Sequence, residues 1–435
     1  LRSRGVGTLQ ILRLYALEGL GMTALAVVVA PFLAIAMVAL AGKLPSFSGV
    51  TGGGFLPVEI GPAPFLMAAN TLRARCGRHL QGAHYAEAKE PFPLPEQENV
   101  YNGKIDRPRL ANCALDKDEI EALPAVERAI RISDDYRILG RHKDDKRQSG
   151  FTYNGVTFDQ SNLNIFAGLC AVDVPEHVEQ MMQALEDNGQ VCTRMGAYKP
   201  RTNPYSFQGH GKGCLPWVFE KAGKHGIKVI AMEITHESHI EEIDHCLEQL
   251  GRPTGVMLQV GTRNTQNFEL LKAIGRQSTY PVLLKRGFGI TLNESLNAAE
   301  YLASEGNANV IFCLRGMKTE AGQPHRNMVD FAHVPAVKRL TRMPVCVDPS
   351  HSVGSRERAP DGVLDVMHAT AQGVIAGANM VLVDFHPKPE KALVDGPQAL
   401  LMRELPAYLE DIQLCHDTWK QRQQIYNRLK ESSPE

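Results

Sequence analysis

Five cationic side chains, Arg194, Lys199, Arg263, Lys285 and Arg315, close or follow short apolar runs between residues 163 and 387. A single arginine in such a place is ordinarily a surface ion pair. Five around one mouth would repel one another at real cost where the dielectric is low. The usual remedy is a bound polyanion, with arginine forks matched to phosphate or carboxylate. A second group is soft or acidic: Cys170, His351, Asp384 and Asp395. Sulfur, imidazole nitrogen and carboxylate oxygen together suit a divalent metal ion such as Mn, Fe, Co or Zn. A plainer reading competes, because a strand cysteine is usually core and the DPSH turn at 348–351 can simply cap a helix. His386 and Cys346 are the nearest decoys and read as structural. The segment YKPRTNPYSFQGHGKG (198–213) adds Arg201 and Thr202 in a turn-rich loop that could hold a second anionic group. Its glycines have no P-loop spacing and carry little by themselves.

The elements that must position these groups are eight apolar runs: NIFAGLC (164–170), VCTRMG (191–196), KVIAME (228–233), VMLQVGTR (256–263), YPVLLKRG (280–287), VIFCLRG (310–316), PVCVDPSH (344–351) and NMVLVDFHP (379–387). Their C-terminal ends carry Cys170, Arg194, Glu233, Arg263, Lys285, Arg315, His351 and Asp384. Segments 175–189, 214–226, 238–251, 265–277 and 291–306 lie between runs and show apolar residues at 3–4 spacing, several starting at Ser, Thr or Pro and stopping at Gly. Strand then helix, eight times over, is the pattern of a (β/α)8 barrel, whose active site gathers at the C-terminal ends of the strands. The barrel is expected over 161–400, with an amphipathic closing helix in 401–435. Ahead of it, 116–160 reads as a lead-in helix (116–130) and a hairpin turning at Asn154–Gly155. Residues 1–115 read as an extension: an apolar run at 19–42, then a Gly/Pro-rich linker over 44–110.

The chain has 435 residues, 43% of them hydrophobic, and a net charge of −1. That is ample for a large core and gives no basic excess for nucleic acid. Nine scattered cysteines form neither a disulfide framework nor a zinc ribbon, so a reducing, cytoplasmic setting is expected. The run 19–42 is uncharged and as a helix would span roughly 36 Å, enough to cross a bilayer. With Arg2, Arg4 and Arg13 before it, the basic flank would stay inside and the barrel would end up outside. A membrane or interfacial helix and an extension foreign to the mature protein both remain open.

At its functional residues the chain closely resembles the 3-deoxy-D-arabino-heptulosonate 7-phosphate (DAHP) synthases, in the type I beta subgroup that lies close to the 3-deoxy-octulosonate 8-phosphate synthases. The likeness covers about 126–400 and rests on VERAIRIS, KPRTNPYSFQG, GTRNTQNFELLK, PVLLKRG, CLRG, PVCVDPSH and HPKPEKALVDGPQ, in that order. It implies a homo-oligomeric enzyme that condenses phosphoenolpyruvate with erythrose 4-phosphate at the entry to the shikimate pathway. Carried over by motif, Arg194, Lys199, Arg263, Lys285 and Arg315 hold phosphoenolpyruvate, and Arg201 and Thr202 take the aldose phosphate. Glu233 sits beside the reacting carbons, Lys199 is a proton donor, and Cys170, His351, Asp384 and Asp395 bind the metal. KPRT favours a four-carbon acceptor, since the octulosonate enzymes usually carry Asn-Arg-Ser there. Three departures stand out: Leu169 for a usual Pro, Ala171 and Asp173 for Ser and Glu, and Asp384 for Glu. The last withdraws a carboxylate by roughly 1.5 Å, where metal bonds tolerate about 0.2 Å. Another aldose phosphate as acceptor, or a barrel that binds sugar phosphates without catalysis, are the rival readings.

Overall fold

The computed structural model describes residues 84–88, 100–101, 104–106, 126–131, 135–142 and 150–432. The apolar run 19–42 lies outside them. Among the described residues no helix is long and apolar enough to cross a membrane.

Eight parallel strands pair in chain order and close on themselves: β7 (Asn164–Leu169), β8 (Cys192–Met195), β9 (Val229–Ile234), β10 (Gly255–Val260), β11 (Val282–Lys285), β12 (Val310–Leu314), β13 (Val345–Val347) and β14 (Met380–His386). Closure comes from β14, which pairs with β7 from Met380↔Asn164 to Asp384↔Gly168 and with β13 at Cys346↔Met380. Every strand from β8 to β14 is buried throughout, so the runs read as continuous apolar stretches rather than alternating ones. This is the expected (β/α)8 barrel.

The helices between strands are α1 (Pro175–Asp187), α2 (Leu215–Lys224), α3 (Ser238–Gln249), α4 (Phe268–Gly275), α5 (Leu292–Ser304), α6 (Val334–Leu340), the short α7 (Pro349–Val353) and α8 (Asp365–Ile375). The start of α5 shows why one segment is helical where it is. Thr291 accepts from the Glu294 amide, and the Glu294 carboxylate accepts from the Thr291 amide, so two orphan donors are satisfied at once. Leu296, Ala299 and Leu302 then face the barrel wall. The closing helix α9 runs Leu405–Ser432, entered through a two-residue strand, β15 (Leu400–Leu401), that pairs with β14.

The expected hairpin is present as β5 (Gly150–Tyr153) and β6 (Val156–Asp159), with Asn154 and Gly155 both at positive φ. Val156 and Phe158 join Phe166, Met257, Leu283, Ile311 and Met380 in the barrel interior, as do Cys192, Cys313 and Cys346. Asn154 Nδ2 donates to the Lys228 carbonyl, and the Val256 amide donates to the Tyr153 hydroxyl. Those contacts lie at strand beginnings, so the hairpin stoppers the end of the barrel away from the chemistry.

The N-terminal expectations need correction. Val126–Arg131 (β4) is a strand, not the second half of a helix, and it pairs antiparallel with β1 (His84–Ala88). β1 pairs in turn with β3 (Lys104–Asp106), and β3 with β2 (Val100–Tyr101). Part of the stretch read as linker therefore belongs to a four-stranded sheet of order β2-β3-β1-β4. VERAIR is short enough to satisfy either period, and its strand partner lies some forty residues earlier, beyond the reach of any local pattern.

Candidate active site

The barrel's C-terminal end holds a cavity, partly open to solvent, lined by Lys199, Arg201, Glu233, Arg263, Lys285, Arg315, Arg326, His351 and Asp395 among others. Eight of the twelve residues singled out from the sequence thus line one space. Arg194, Cys170 and Asp384 lie just beneath it, and Thr202 lies on the rim, where its hydroxyl accepts from Arg263 Nη2 at 3.2 Å.

The cations differ in how they are held. Lys199 is buried against Glu233, with Nζ 2.9 Å from Oε2. Burial opposes the charge on both, but Glu233 and neighbouring Cys170 raise the Lys199 pKa, and Lys199 with Lys285 lowers that of Glu233. The pair is therefore ionised. Gly261 leaves room for it: a Cβ there would stand 2.0 Å from Glu233 Oε1. Lys285 donates to Asp348 Oδ2 at 2.5 Å, and Arg194 Nη1 donates to Asp384 Oδ1 at 2.5 Å.

Arg315 is the exception. It is buried, yet its Nε and Nη1 have no hydrogen-bond partner, and its guanidinium lies over the Phe288 ring at 4.7 Å. Burial lowers its pKa, partly offset by Asp348. A buried guanidinium with orphaned donors costs free energy until an anion fills the gap. Arg263 and Lys318 also stand over Phe288, at 5.5 and 6.0 Å.

Beside this anion seat, Cys170 Sγ, His351 Nε2 and Asp395 Oδ2 face one another. Sulfur to Oδ2 is 3.2 Å, sulfur to Nε2 3.8 Å and Nε2 to Oδ2 3.5 Å. One ligand atom from each lies within 4.8 Å of the others, so a single ion could bridge all three. His351 is oriented from behind, its Nδ1 3.0 Å from Asp348 Oδ1, the arrangement that metal-ligating histidines usually show. Burial lowers the His351 pKa, but Asp348, with Asp384 farther off, pushes it up to about 10 against the opposing charge of Lys285. A metal binding there must displace that proton. Asp395 sits well below the carboxylate range because His351 and Arg326 outweigh its burial. The set fits a transition ion in number, softness and spacing.

The expected fourth ligand is not brought into this group. Asp384 gives Oδ1 to Arg194 and accepts at Oδ2 from Gln398 Nε2 at 2.6 Å, and its Oδ2 lies 3.8 Å from His351 Nδ1, the ring nitrogen that Asp348 holds. The decoys fall where expected: Cys346 is in the barrel interior, and His386 Nε2 is 2.8 Å from Asp173 Oδ2.

Three further residues went unnoticed in the sequence. Asp348 caps α7 through the His351 amide and also holds Lys285 and the His351 ring, so its DPSH turn is both cap and support. Arg326 donates to Asp395 Oδ1 at 3.0 Å and to Gln398 Oε1 at 2.9 Å. Spacing from Asp348 to His351 offered a signal for the first. Arg326 and Gln398 have none, since neither closes a strand.

Residues 149–420 match the model of the DAHP synthetase I family. A Thermotoga maritima protein named phospho-2-dehydro-3-deoxyheptonate aldolase is 36% identical over 293 residues, covering 66% of this chain and 80% of its own. An Acidithiobacillus ferrooxidans 2-dehydro-3-deoxyphosphooctonate aldolase is 27% identical over 251 residues, covering 54% and 83%. The crystal structure of the Thermotoga maritima DAHP synthase superposes with a TM-score of 0.60 at 29% identity, over 81% of this chain and 93% of that one. Its truncated form gives 0.55 at 30%, over 65% and 97%. The chain is an enzyme that belongs to the DAHP synthetase I family.

Proposed function

We propose that this barrel condenses phosphoenolpyruvate with erythrose 4-phosphate, with a divalent metal held by Cys170, His351 and Asp395, to give 3-deoxy-D-arabino-heptulosonate 7-phosphate and inorganic phosphate. The observation that carries the reading is Arg315, buried and short of partners at the wall of a cavity shared with Lys199, Arg263 and Lys285. A phosphate plus a carboxylate on one small molecule supplies the acceptors this cluster lacks.

The residues then have separable tasks. Arg315, Lys285 and Arg263 seat the phosphoenolpyruvate anion and fix the face of its C2–C3 double bond. Arg201 and Thr202, on the rim loop, take the aldose phosphate, and the Arg263–Thr202 hydrogen bond ties that loop to the first pocket. A metal held by Cys170, His351 and Asp395 would supply a Lewis acid for the aldehyde carbonyl. C3 of phosphoenolpyruvate attacks that carbon, water adds at C2, and phosphate departs with the C2–O bond electrons. Lys199, hydrogen-bonded to Glu233, delivers a proton to the new alkoxide, and Glu233 stands ready to take one from the attacking water.

The test is phosphate release from phosphoenolpyruvate plus erythrose 4-phosphate, with and without chelator. Release that needs both substrates and stops with chelator is the expected result. A parallel run with a five-carbon aldose phosphate separates a heptonate-forming reaction from an octonate-forming one, the two kinds of product in the relatives' names. Arg315→Ala should raise the KM for phosphoenolpyruvate about 30- to 1,000-fold, the equivalent of about 2–4 kcal/mol. Arg201→Ala should act on the aldose phosphate instead. Equal effects of both variants on both substrates would overturn the two-pocket assignment.

A further inference from the structure

The carboxylate of Asp384 is fully buried and committed twice over. Oδ1 takes Arg194 Nη1, and Oδ2 takes Gln398 Nε2. Its backbone is pinned as well, the Asp384 amide donating to Ser350 Oγ at 2.9 Å. The contacts continue on both sides. Arg194 Nη2 reaches Cys170 Sγ at 3.6 Å. Gln398 Oε1 accepts from Arg326 Nη1, which also donates to Asp395 Oδ1. The result is a chain of side chains, Cys170–Arg194–Asp384–Gln398–Arg326–Asp395, that begins and ends on candidate ligands and passes behind them. Only one amide orientation of Gln398 satisfies it, since Oε1 must face the arginine and Nε2 the carboxylate.

We infer that Asp384 is a positioning residue at the centre of this chain and not a metal ligand, so that the protein supplies three ligands, Cys170, His351 and Asp395, and leaves the remaining coordination positions to water or substrate. The inference rests on the proposed metal-dependent reading of the site. Asp384 acts through its neighbours. It holds Arg194 at the floor of the anion seat and, through Gln398 and Arg326, turns Asp395 so that Oδ2 faces the sulfur and imidazole. Were Asp384 to leave for the metal, Arg194 would lose the partner that now neutralises it in a fully buried place, a change that costs several kcal/mol in comparable pairs.

The experiment uses full-length protein loaded with Co(II) or Mn(II) and needs no turnover. In Asp384→Asn the metal dissociation constant should rise by no more than the roughly 10- to 100-fold that loss of a supporting contact costs, and the Co(II) spectrum, both thiolate charge-transfer and ligand-field bands, should match that of the unsubstituted protein. Phosphoenolpyruvate should bind the loaded variant at least about tenfold more weakly, because Arg194 is no longer held. Loss of metal affinity well beyond about a hundredfold, or altered ligand-field bands, would overturn the inference. Should the variant fail to fold, a crystal structure of the Mn(II)-loaded unsubstituted protein decides. Asp384 still on Arg194 supports the inference, and a metal–Asp384 bond overturns it. If the unsubstituted protein binds metal but no phosphoenolpyruvate, the proposed reaction fails and the ligand count is still decided.

Discussion

Two clusters in this barrel have nearly the same ingredients. Cys170, His351 and Asp395 form one, and Asp173, His177 and His386 the other, and in both the potential ligand atoms lie within 4.8 Å of one another. They differ in what is left over. In the second, His177 Nδ1 and His386 Nε2 both point at Asp173 Oδ2, at 2.7 and 2.8 Å. The Lys388 amide donates to His386 Nδ1, which forces that ring's proton onto Nε2. The Asp173 carbonyl meanwhile takes His210 Nε2 at 2.7 Å, and its Oδ1 takes the Val174 amide. Every oxygen of Asp173 is in use, and both histidines spend a ring nitrogen on the same carboxylate oxygen. In the first cluster, the outer nitrogen of His351 is the one engaged by Asp348, so Nε2 is presented inward, toward the sulfur and carboxylate, beside an open cavity. Histidine and aspartate are common to both; the direction in which the second layer turns each ring separates a candidate binding site from a brace.

The comparison breaks most sharply on metal content. Cys170→Ser should weaken metal binding by more than the roughly 10- to 100-fold that loss of a supporting hydrogen bond costs. His177→Gln and His386→Gln should leave one metal per chain at undiminished affinity. Metal analysis after dialysis against a competing chelator reads all three. Two metals per chain, or retention by the Cys170 variant alone, would place the site in the wrong cluster.

A smaller effect tests the second layer itself. Asp348→Asn keeps a hydrogen-bonding side chain beside His351 but removes the charge that orients its ring and balances Lys285. Metal affinity should fall by about 10- to 100-fold, with no matching loss in Asp173→Asn, whose carboxylate braces the other cluster. Equal losses in the two variants would mean that the clusters are not distinguished by their supports.

The same distinction explains what could be read from the residues in order. The eight barrel strands match the expected apolar runs, overrunning them only at Ile234 and Gly255, because a strand buried on both faces needs an unbroken apolar stretch and a loop that stops it. The five expected helices are found too, each with a periodic face. Helices α6 and α8 went unforeseen: VPAVKRL is only seven residues, and DVMHATAQGVI is rich in small and polar residues that blur its face. Residue types singled out the cations around one cavity, and Cys170, His351 and Asp395 that face one another beside it, since chain topology alone delivers them to one mouth. Asp384 was legible as a buried carboxylate on β14 but not as the partner of Arg194. That depends on side-chain reach, on Gln398 fourteen residues later and on Arg326 from another loop, none of which any spacing encodes. VERAIR was misjudged for a related reason, its strand state being set by a distant partner.

The smallest expected effect concerns acid stability and the brace alone. Burial works against the charge on Asp173, but hydrogen bonds from His386, His177 and the Val174 amide lower its pKa to about 2, against about 3.9 for a free aspartate. A carboxylate with a depressed folded-state pKa stabilises the fold fully above its unfolded value and ceases to do so as pH falls through its folded one. The window is therefore pH 4 down to pH 2, and the contribution about 2 kcal/mol at neutral pH. Asp173→Asn should unfold at lower denaturant concentration than the unsubstituted protein at pH 7, and the gap should narrow steadily below pH 4. Taking the difference between the two proteins removes the other carboxylates that titrate over the same range. A gap that stays constant down to pH 2.5 would mean that Asp173 acts through shape rather than charge, and the two clusters would then differ less in electrostatics than their hydrogen bonds imply.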